Sequence, residues 1–460
     1  VGPPGKTSLH RVGSRLSGLL GDSLFRNSLF IMSSTAVTSL LGFGFWVITA
    51  RSLPASEVGR AAALVSAMLF TSVFTNFGIG QVFVSRLSAR DPGHDWSLTV
   101  NVGLALTALA SLLGGLVAAI LLPTLIPALK GGVGAGAFLL LPFGVAGAAC
   151  SLVIDFACIA ERHAKHALLR NTAGALLRLI LVAITGLVPV NGTVWILSVW
   201  VGSFLLIDAW GMLRVLPSLG HDYRATLRGW RQELREMRGL IAGHQTINLG
   251  AQASFYLLPV LVSARLGPEQ NAYFYTTFMV ATALFFIAPA ISNALFAEGS
   301  HHPDRLSADL GRAVRYIVML MGPPALVLVF AGDRVLGLFG PAYAEQAGTL
   351  LILLVVSAAF DAALQLTVAI LRAKHRLRDA AVATWAMLLT AVPLTWILLP
   401  SMGLEGAGVG WLAGKVVGMA VAMLYLPGAR GPQAGAPDLP RSVEEGVAEE
   451  LEEAGQLSDR

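Results

Sequence analysis

Charge is the scarcest commodity in this chain: Asp, Glu, Lys and Arg make up 13% of 460 residues, against the ~25% usual in a soluble domain. With 55% hydrophobic residues and a mean hydropathy of +0.69, that scarcity excludes a soluble fold. Cysteine is nearly absent. Cys150 and Cys158 lie inside one apolar segment without acidic or histidine neighbours at ligand spacing, so they read as packing residues and not as a metal site or a disulfide framework. No Walker-type glycine loop is present, which excludes ATP as the direct energy source. A membrane-embedded transferase needs acids or histidines clustered at a membrane face. The stretch from Asp333 to Gln346 offers one Asp and one Glu far apart, and the longest basic connection is dominated by arginine. The expectation is therefore a chain that is not an enzyme and that uses neither cofactor nor metal.

Long apolar runs are what the sequence does have. Roughly 20 apolar residues span the hydrocarbon layer as a helix, and such runs follow one another from residue 28 to residue 426. Spans are predicted near 28–50, 58–82, 97–122, 133–158, 171–189, 193–213, 241–264, 271–297, 313–331, 347–371, 380–399 and 404–426. The net charge of +5 would suit nucleic acid only if the basic residues shared a soluble surface. They sit between spans, and so report topology. The even-numbered connections hold Arg86 and Arg90; Arg162, Lys165 and Arg170; six arginines from Arg214 to Arg238; Arg305 and Arg312; and Arg372, Lys374, Arg376 and Arg378. The odd-numbered ones carry Arg51, Lys130, Arg265 and Arg334, one at most in each. Because basic loops are retained on the cytoplasmic side, both termini are expected in the cytoplasm.

The predicted organisation is a cytosolic N-terminal segment (1–27) that is not a cleaved signal peptide, a six-helix bundle (28–216), a cytosolic arginine-rich linker (217–240), a second six-helix bundle (241–426) and an acidic, mostly disordered cytosolic tail (427–460). The halves look like a repeat. Span one exits through Thr49-Ala50-Arg51-Ser52-Leu53-Pro54, and span seven through Ser263-Ala264-Arg265-Leu266-Gly267-Pro268, 214 residues later. Ala164-Lys165-His166 recurs as Ala373-Lys374-His375 at an offset of 209. Parallel repeats of this kind enclose a substrate path between the bundles.

Local motifs carry a family resemblance. The stretch Thr75-Asn76-Phe77-Gly78-Ile79-Gly80-Gln81-Val82-Phe83-Val84-Ser85-Arg86 resembles the end of the second helix in bacterial polysaccharide flippases (O-antigen and exopolysaccharide) of the multidrug/oligosaccharidyl-lipid/polysaccharide exporter (MOP) superfamily. So do the Ala-Arg-x-Leu exit of span one with Glu57-Val58-Gly59, and Leu336-Gly337-Leu338-Phe339-Gly340-Pro341-Ala342-Tyr343. The resemblance implies an all-α integral membrane protein of about 12 transmembrane helices in two bundles. It further implies a transporter that flips lipid-linked oligosaccharide or polysaccharide precursors across the bacterial cytoplasmic membrane by alternating access. The expected partners are that substrate, membrane lipids and polysaccharide assembly proteins, with no nucleic acid. Alternatives are a drug or cation antiporter of the same superfamily and a non-catalytic component of an assembly complex.

Polar groups in hydrocarbon are expensive, so each is a candidate for function. His244, Asn248 and Gln252 share one face of span seven at intervals of four; in the 214-residue register Asn248 and Gln252 align with Ser34 and Thr38 of span one. Facing stripes would line a cavity, although interhelical bonding is the alternative. Arg178 of span five is the cation suited to a lipid diphosphate, with Gln365 and Asn76 as further cavity candidates and turn formation as the other reading of Asn76. Asp361 of span ten and Asp155 of span four are ion-coupling candidates, unless each neutralises Arg178, Lys415 or a loop arginine. Arg51 and Arg265 mark the outer rim and read as interface anchors in preference to groups that assist release. Pro259 and Pro289 are expected to kink spans seven and eight.

Overall fold

The computed structural model describes residues 23–87, 90, 93–129, 133–185, 191–219, 222–292, 295, 306–374 and 376–426; within these, the side chains of 23–29, 135, 239–248, 251 and 306–309 lie outside the description. The N-terminal segment before residue 23 and the acidic tail therefore fall outside the described residues. All regular structure among the described residues is helical. Eleven helices are long and apolar enough to cross a membrane, and Trp230–Leu266, 37 residues long, is the twelfth long helix.

The helices follow the predicted spans in order. Span one is Ser23–Ser52, span three His94–Leu125, span four Ala135–Ala160, span five Ala164–Ala183 and span six Gly192–Trp210, which runs on through a π-helical turn at Gly211–Val215. Span seven is Trp230–Leu266, span nine Leu306–Gly337, span ten Pro341–Ala373, span eleven Leu377–Met402 and span twelve Leu404–Tyr425. Two spans are broken where continuity was expected. Span two stops at Thr75 and resumes as Ile79–Arg86, because Phe77 and Gly78 pass through left-handed conformations at φ 52° and 70°; glycine accepts that geometry without a Cβ clash. Span eight, Pro268–Phe285, is interrupted at Phe286 and is helical again over 287–292. Pro289 has no N–H to give the carbonyl four residues earlier, that of Phe285, which places the break there. Span seven stays helical through Pro259.

Two boundaries also shift. The linker expected to end at residue 240 is helical from Trp230 and continuous with span seven. At ~1.5 Å per residue that helix is about 55 Å long, longer than a ~30 Å hydrocarbon layer, so its arginine-rich start projects beyond it. Arg170, counted among loop charges in the sequence, sits inside span five, which begins at Ala164.

The two halves pack by the same plan. Spans one and five lie together, as do seven and eleven; three pairs with four as nine does with ten; four packs on six as ten does on twelve. The bundles meet mainly through span two, against spans seven and eight. At the end poor in basic residues they are closed on each other. Asn271 Nδ2 donates to the Gly59 carbonyl at 2.8 Å, and a Cβ built on Gly59 would lie 1.6 Å from the Pro268 carbonyl oxygen. Only glycine permits that approach of spans two and eight.

Candidate functional site

Inside the first bundle, spans four, five and six converge on the Arg170 guanidinium, which is fully buried. Its Nη2 donates to Asp155 Oδ1 at 2.6 Å and its Nη1 to Asp208 Oδ1 at 2.9 Å. Nη1 also donates to Ser151 Oγ at 3.1 Å, and Nη2 to the Ser151 carbonyl. Asn171 Nδ2, the next residue on span five, donates to Asp155 Oδ2 at 2.8 Å and reaches Ser34 Oγ of span one at 3.5 Å. Two carboxylates thus face one guanidinium, and Asp208 Oδ2 is buried with no hydrogen-bond partner among the described residues. A group with one negative charge in excess can take up a proton or a small cation.

Two turns along span five, Arg178 lies under the rings of Trp200 and Phe204, 4.5 and 5.3 Å from their centroids. Among the described residues its hydrogen bonding is limited to a long 3.5 Å contact to Ser203 Oγ. No carboxylate among the described residues pairs with it, so its charge is available to an anion. Trp200 stands 6.0 Å from Phe45, Phe45 5.3 Å from Trp46, and Trp46 4.7 Å from Tyr275 of span eight. A chain of rings therefore leads from Arg178 to the boundary between the bundles.

At that boundary lies a cavity of about 260 Å³ between spans two, seven and eight. Phe255, Tyr256, Tyr275, Phe278 and Phe286 give it aromatic walls, and Ser66, Gln252 and Thr282 supply polar groups. Apolar walls with a few placed hydrogen-bonding groups are the usual make-up of a small-molecule site. Behind Phe255, in the second bundle, Lys415 Nζ pairs with Asp361 Oδ1 at 2.7 Å, both side chains buried. Lys415 is boxed by Trp411, Phe255 and Phe285, at 4.3, 5.5 and 5.7 Å from the ring centroids.

The structure gathers some of the sequence candidates and separates others. Gln252 lines the cavity, whereas Ser34 joins the Asp155 group and Thr38 Oγ1 donates to the Ser34 carbonyl of its own helix at 2.7 Å. The stripes of spans one and seven are therefore not brought together at these positions; the side chains of His244 and Asn248 lie outside the described residues. Asn76 is buried at the break in span two and donates to the Ala149 carbonyl at 3.4 Å. Gln365 is half-buried one turn from Asp361. Arg51 spans the two bundles, its Nε donating to the Leu338 carbonyl and its Nη2 to that of Gly337, both at 2.8 Å. Its repeat counterpart Arg265 stays within the second bundle, 4.2 Å from the Trp396 ring centroid. Sequence reasoning missed Arg170 as a buried ion-pair centre. The signal was present in its spacing: Arg170 and Arg178 are eight apart, which puts them near one face of a single helix.

Two parallel six-helix bundles, buried charges in each and a ring-lined cavity between them define the class: an all-helical, multi-pass membrane protein. No protein-family model and no curated protein matches the chain. Solved structures do. An inward-facing multidrug resistance MATE family transporter of the MOP superfamily aligns with a TM-score of 0.67 at 17% identity, over 84% of this chain and 93% of that one. The lipid II flippase MurJ in an inward closed conformation aligns at 0.68 and 14% identity, over 87% of each chain. A MOP superfamily transporter from Pyrococcus furiosus, described as having a binding pocket of reverse polarity, gives 0.56 at 18% identity over 88% of this chain and 96% of that one. At such identities the likeness is one of fold.

Proposed function

We propose that this protein is a transporter, not an enzyme, that flips a lipid-linked oligosaccharide or polysaccharide precursor across the bacterial cytoplasmic membrane by alternating access. The observation that carries the reading is Arg178, a guanidinium held inside the first bundle between aromatic rings and without a carboxylate partner among the described residues. A free cation within the bundle disfavours a cationic drug and favours a phosphate-bearing substrate, whose oxygens a guanidinium binds in a fork. The ring-lined cavity offers flat apolar faces and hydrogen bonds suited to sugar rings. Closure at the end poor in basic residues supports an arrangement open toward the arginine-rich side, which is cytoplasmic under the positive-inside rule. That is the side on which a precursor made in the cytoplasm is presented. The likeness to a lipid II flippase fold is consistent with such cargo.

The test is reconstitution of the full chain in vesicles containing a fluorescent polyprenyl diphosphate saccharide, with leaflet exposure read by a membrane-impermeant quencher. Wild type should equilibrate the lipid between leaflets, Arg178→Gln should lose about tenfold or more in rate, in line with a charged hydrogen bond of ~1.5–3 kcal/mol, and Arg178→Lys should retain part of it. Absence of flipping, together with gradient-driven export of a cationic dye from the same vesicles, would overturn the reading.

That second outcome describes a drug or cation antiporter, and one observation favours it: the surplus carboxylate at Asp155, Arg170 and Asp208. Asp361, also a coupling candidate by sequence, is balanced by Lys415, so ion coupling in either kind of transporter is assigned to the first bundle. Asp208→Asn should abolish any proton or sodium dependence of transport while leaving Asp361→Asn/Lys415→Gln coupled.

A further inference from the structure

The arginine-rich start of span seven is built as a face. Glu233 and Glu236, the acids of this stretch, are drawn to the first bundle. Arg90 Nη2 lies 2.7 Å from Glu233 Oε2 and 3.1 Å from Glu236 Oε2, and Arg86 Nη2 lies 3.0 Å from the same Glu236 oxygen. Thr99 Oγ1 of span three adds a 2.9 Å bond to Glu233. The preceding segment is fastened as well: Asn101 Nδ2 donates to the carbonyls of Arg224 and Thr226, at 2.8 and 3.1 Å. With Glu233 and Met237 buried, the opposite side of the helix turns outward, and it carries Arg231, Arg235 and Arg238, all exposed. Arg224 and Arg228 are exposed just before it. None of these five guanidinium groups has an ion pair among the described residues. Trp230 and Leu227 are exposed beside them, 48% and 49% accessible.

We infer that this face is a binding surface for anionic phospholipid headgroups of the leaflet it adjoins. Position argues for lipid over a soluble acidic partner: the helix is continuous with span seven, so Arg238 and Arg235 follow within the first turns beyond the membrane boundary, ahead of Arg231. Composition argues likewise: the exposed Arg235 and Arg238 are the arginines nearest the span, and a guanidinium forks onto phosphate oxygens. Removing the acids into pairs with Arg86 and Arg90 leaves the outward side of the helix positively charged, without a compensating acid among the described residues of that face. Each basic residue near such a surface strengthens binding about fivefold. The consequence for the protein is that the linker between the bundles is tied at once to the first bundle and to the membrane surface, and its position responds to lipid charge. This inference rests on the membrane reading of span seven and is independent of the cargo.

Native mass spectrometry of the detergent-solubilised full chain, titrated with phosphatidylglycerol or phosphatidylcholine, tests it. Wild type should bind phosphatidylglycerol at least about tenfold more tightly, with the preference falling as salt rises from about 0.05 to about 0.5 M. Arg231→Gln/Arg235→Gln/Arg238→Gln should lose about tenfold or more of that preference while melting at the wild-type temperature, since the side chains are exposed. The corresponding triple lysine variant should keep most of it. A wild type without headgroup preference or without salt dependence, a glutamine variant that retains the preference, or a glutamine variant that loses a co-purifying acidic protein but not lipid would each overturn the proposal. Headgroup-selective binding by a wild type that does not flip the saccharide lipid would leave this proposal standing and overturn only the cargo reading.

Discussion

The two bundles share a helix plan but hold it together by different physics. In the second, spans eleven and twelve meet through glycines four residues apart. A Cβ on Gly406 would lie 2.7 Å from the Leu398 carbonyl, on Gly410 2.7 Å from the Thr395 nitrogen, and on Gly414 2.9 Å from the Met387 carbonyl. Backbones touch, and attraction is dispersion over a close contact, as small-residue interfaces in lipid allow. The corresponding spans five and six of the first bundle stand further apart. Gly174 faces only the Ile207 side chain, at 3.2 Å from a built Cβ, and the helices are joined by Arg170 and its two carboxylates. The buried charges differ to match. Span twelve brings a cation, Lys415, to the acid of span ten; span six brings an acid, Asp208, to the acid of span four, and an arginine from span five compensates for one of the two. Among the described residues, one half is tightly packed, with its buried lysine and aspartate paired to each other. The other is polar, looser and charged, and it is there that Arg178 is left free. On the proposed reading the duplicated fold divides its work, the first bundle carrying the proposed coupling and anion-binding groups, Asp155, Asp208 and Arg178.

The sharpest way to break this contrast is through the buried charges. Arg170→Ala leaves two carboxylates together without compensation and should cost about 3–5 kcal/mol, seen as a large drop in melting temperature in detergent. Replacing the whole pair of the other bundle, Asp361→Leu with Lys415→Met, should be close to neutral, because a buried pair and an apolar substitute of similar volume differ little. Equal losses in the two would refute the division. Next come the glycines. Gly414→Leu must push backbone apart and should cost about 1–3 kcal/mol or more, whereas Gly174→Ala meets only a movable isoleucine and should change the melting temperature little.

At the closed end, Arg51→Ala removes two bonds between the bundles, worth about 1 kcal/mol net each. It should raise the labelling rate of a cysteine placed at Ser52 or Leu338, while Arg265→Ala, lost from a contact inside one bundle, should leave the equivalent rate unchanged. The smallest effect is expected at the linker. The Glu236 carboxylate is held below its ordinary range, chiefly by the hydrogen bond from Arg90. A lowered folded value means that its contribution is present above the unfolded carboxylate range and is lost as pH falls through the folded value. Wild type should therefore lose slightly more stability on acidification than Glu236→Gln, and only slightly, because the side chain is 35% exposed.

Much of this was legible in the chain. The number and order of the spans follow from apolar run lengths, since a helix crossing hydrocarbon must satisfy its own backbone. The repeat was visible in the exits at Arg51 and Arg265. Arg178, Asp155 and Asp361 stand out in the sequence as charged residues lying in apolar runs, and Gln252 as part of a polar stripe on span seven. The pairings did not. Whether Asp361 meets Lys415, 54 positions away, or Asp155 meets Arg170 depends on how helices rotate about their axes, and a period of 3.6 residues fixes a face but not the neighbour that face meets. Arg170 was read as a loop charge because helix ends in basic sequence carry no apolar boundary. The break at Phe77 likewise arises from local backbone geometry, whereas Pro289 had already marked span eight for a kink.

What the sequence by itself determined is a multi-pass helical membrane protein in two similar halves, because hydrophobic length and basic-residue placement act residue by residue along the chain. Only the tertiary structure decided which charges cancel and which remain. Compensation is a matter of ångströms between helices, and among the described residues it left two acids on one guanidinium and an arginine without a carboxylate partner in one bundle, and a sealed pair in the other.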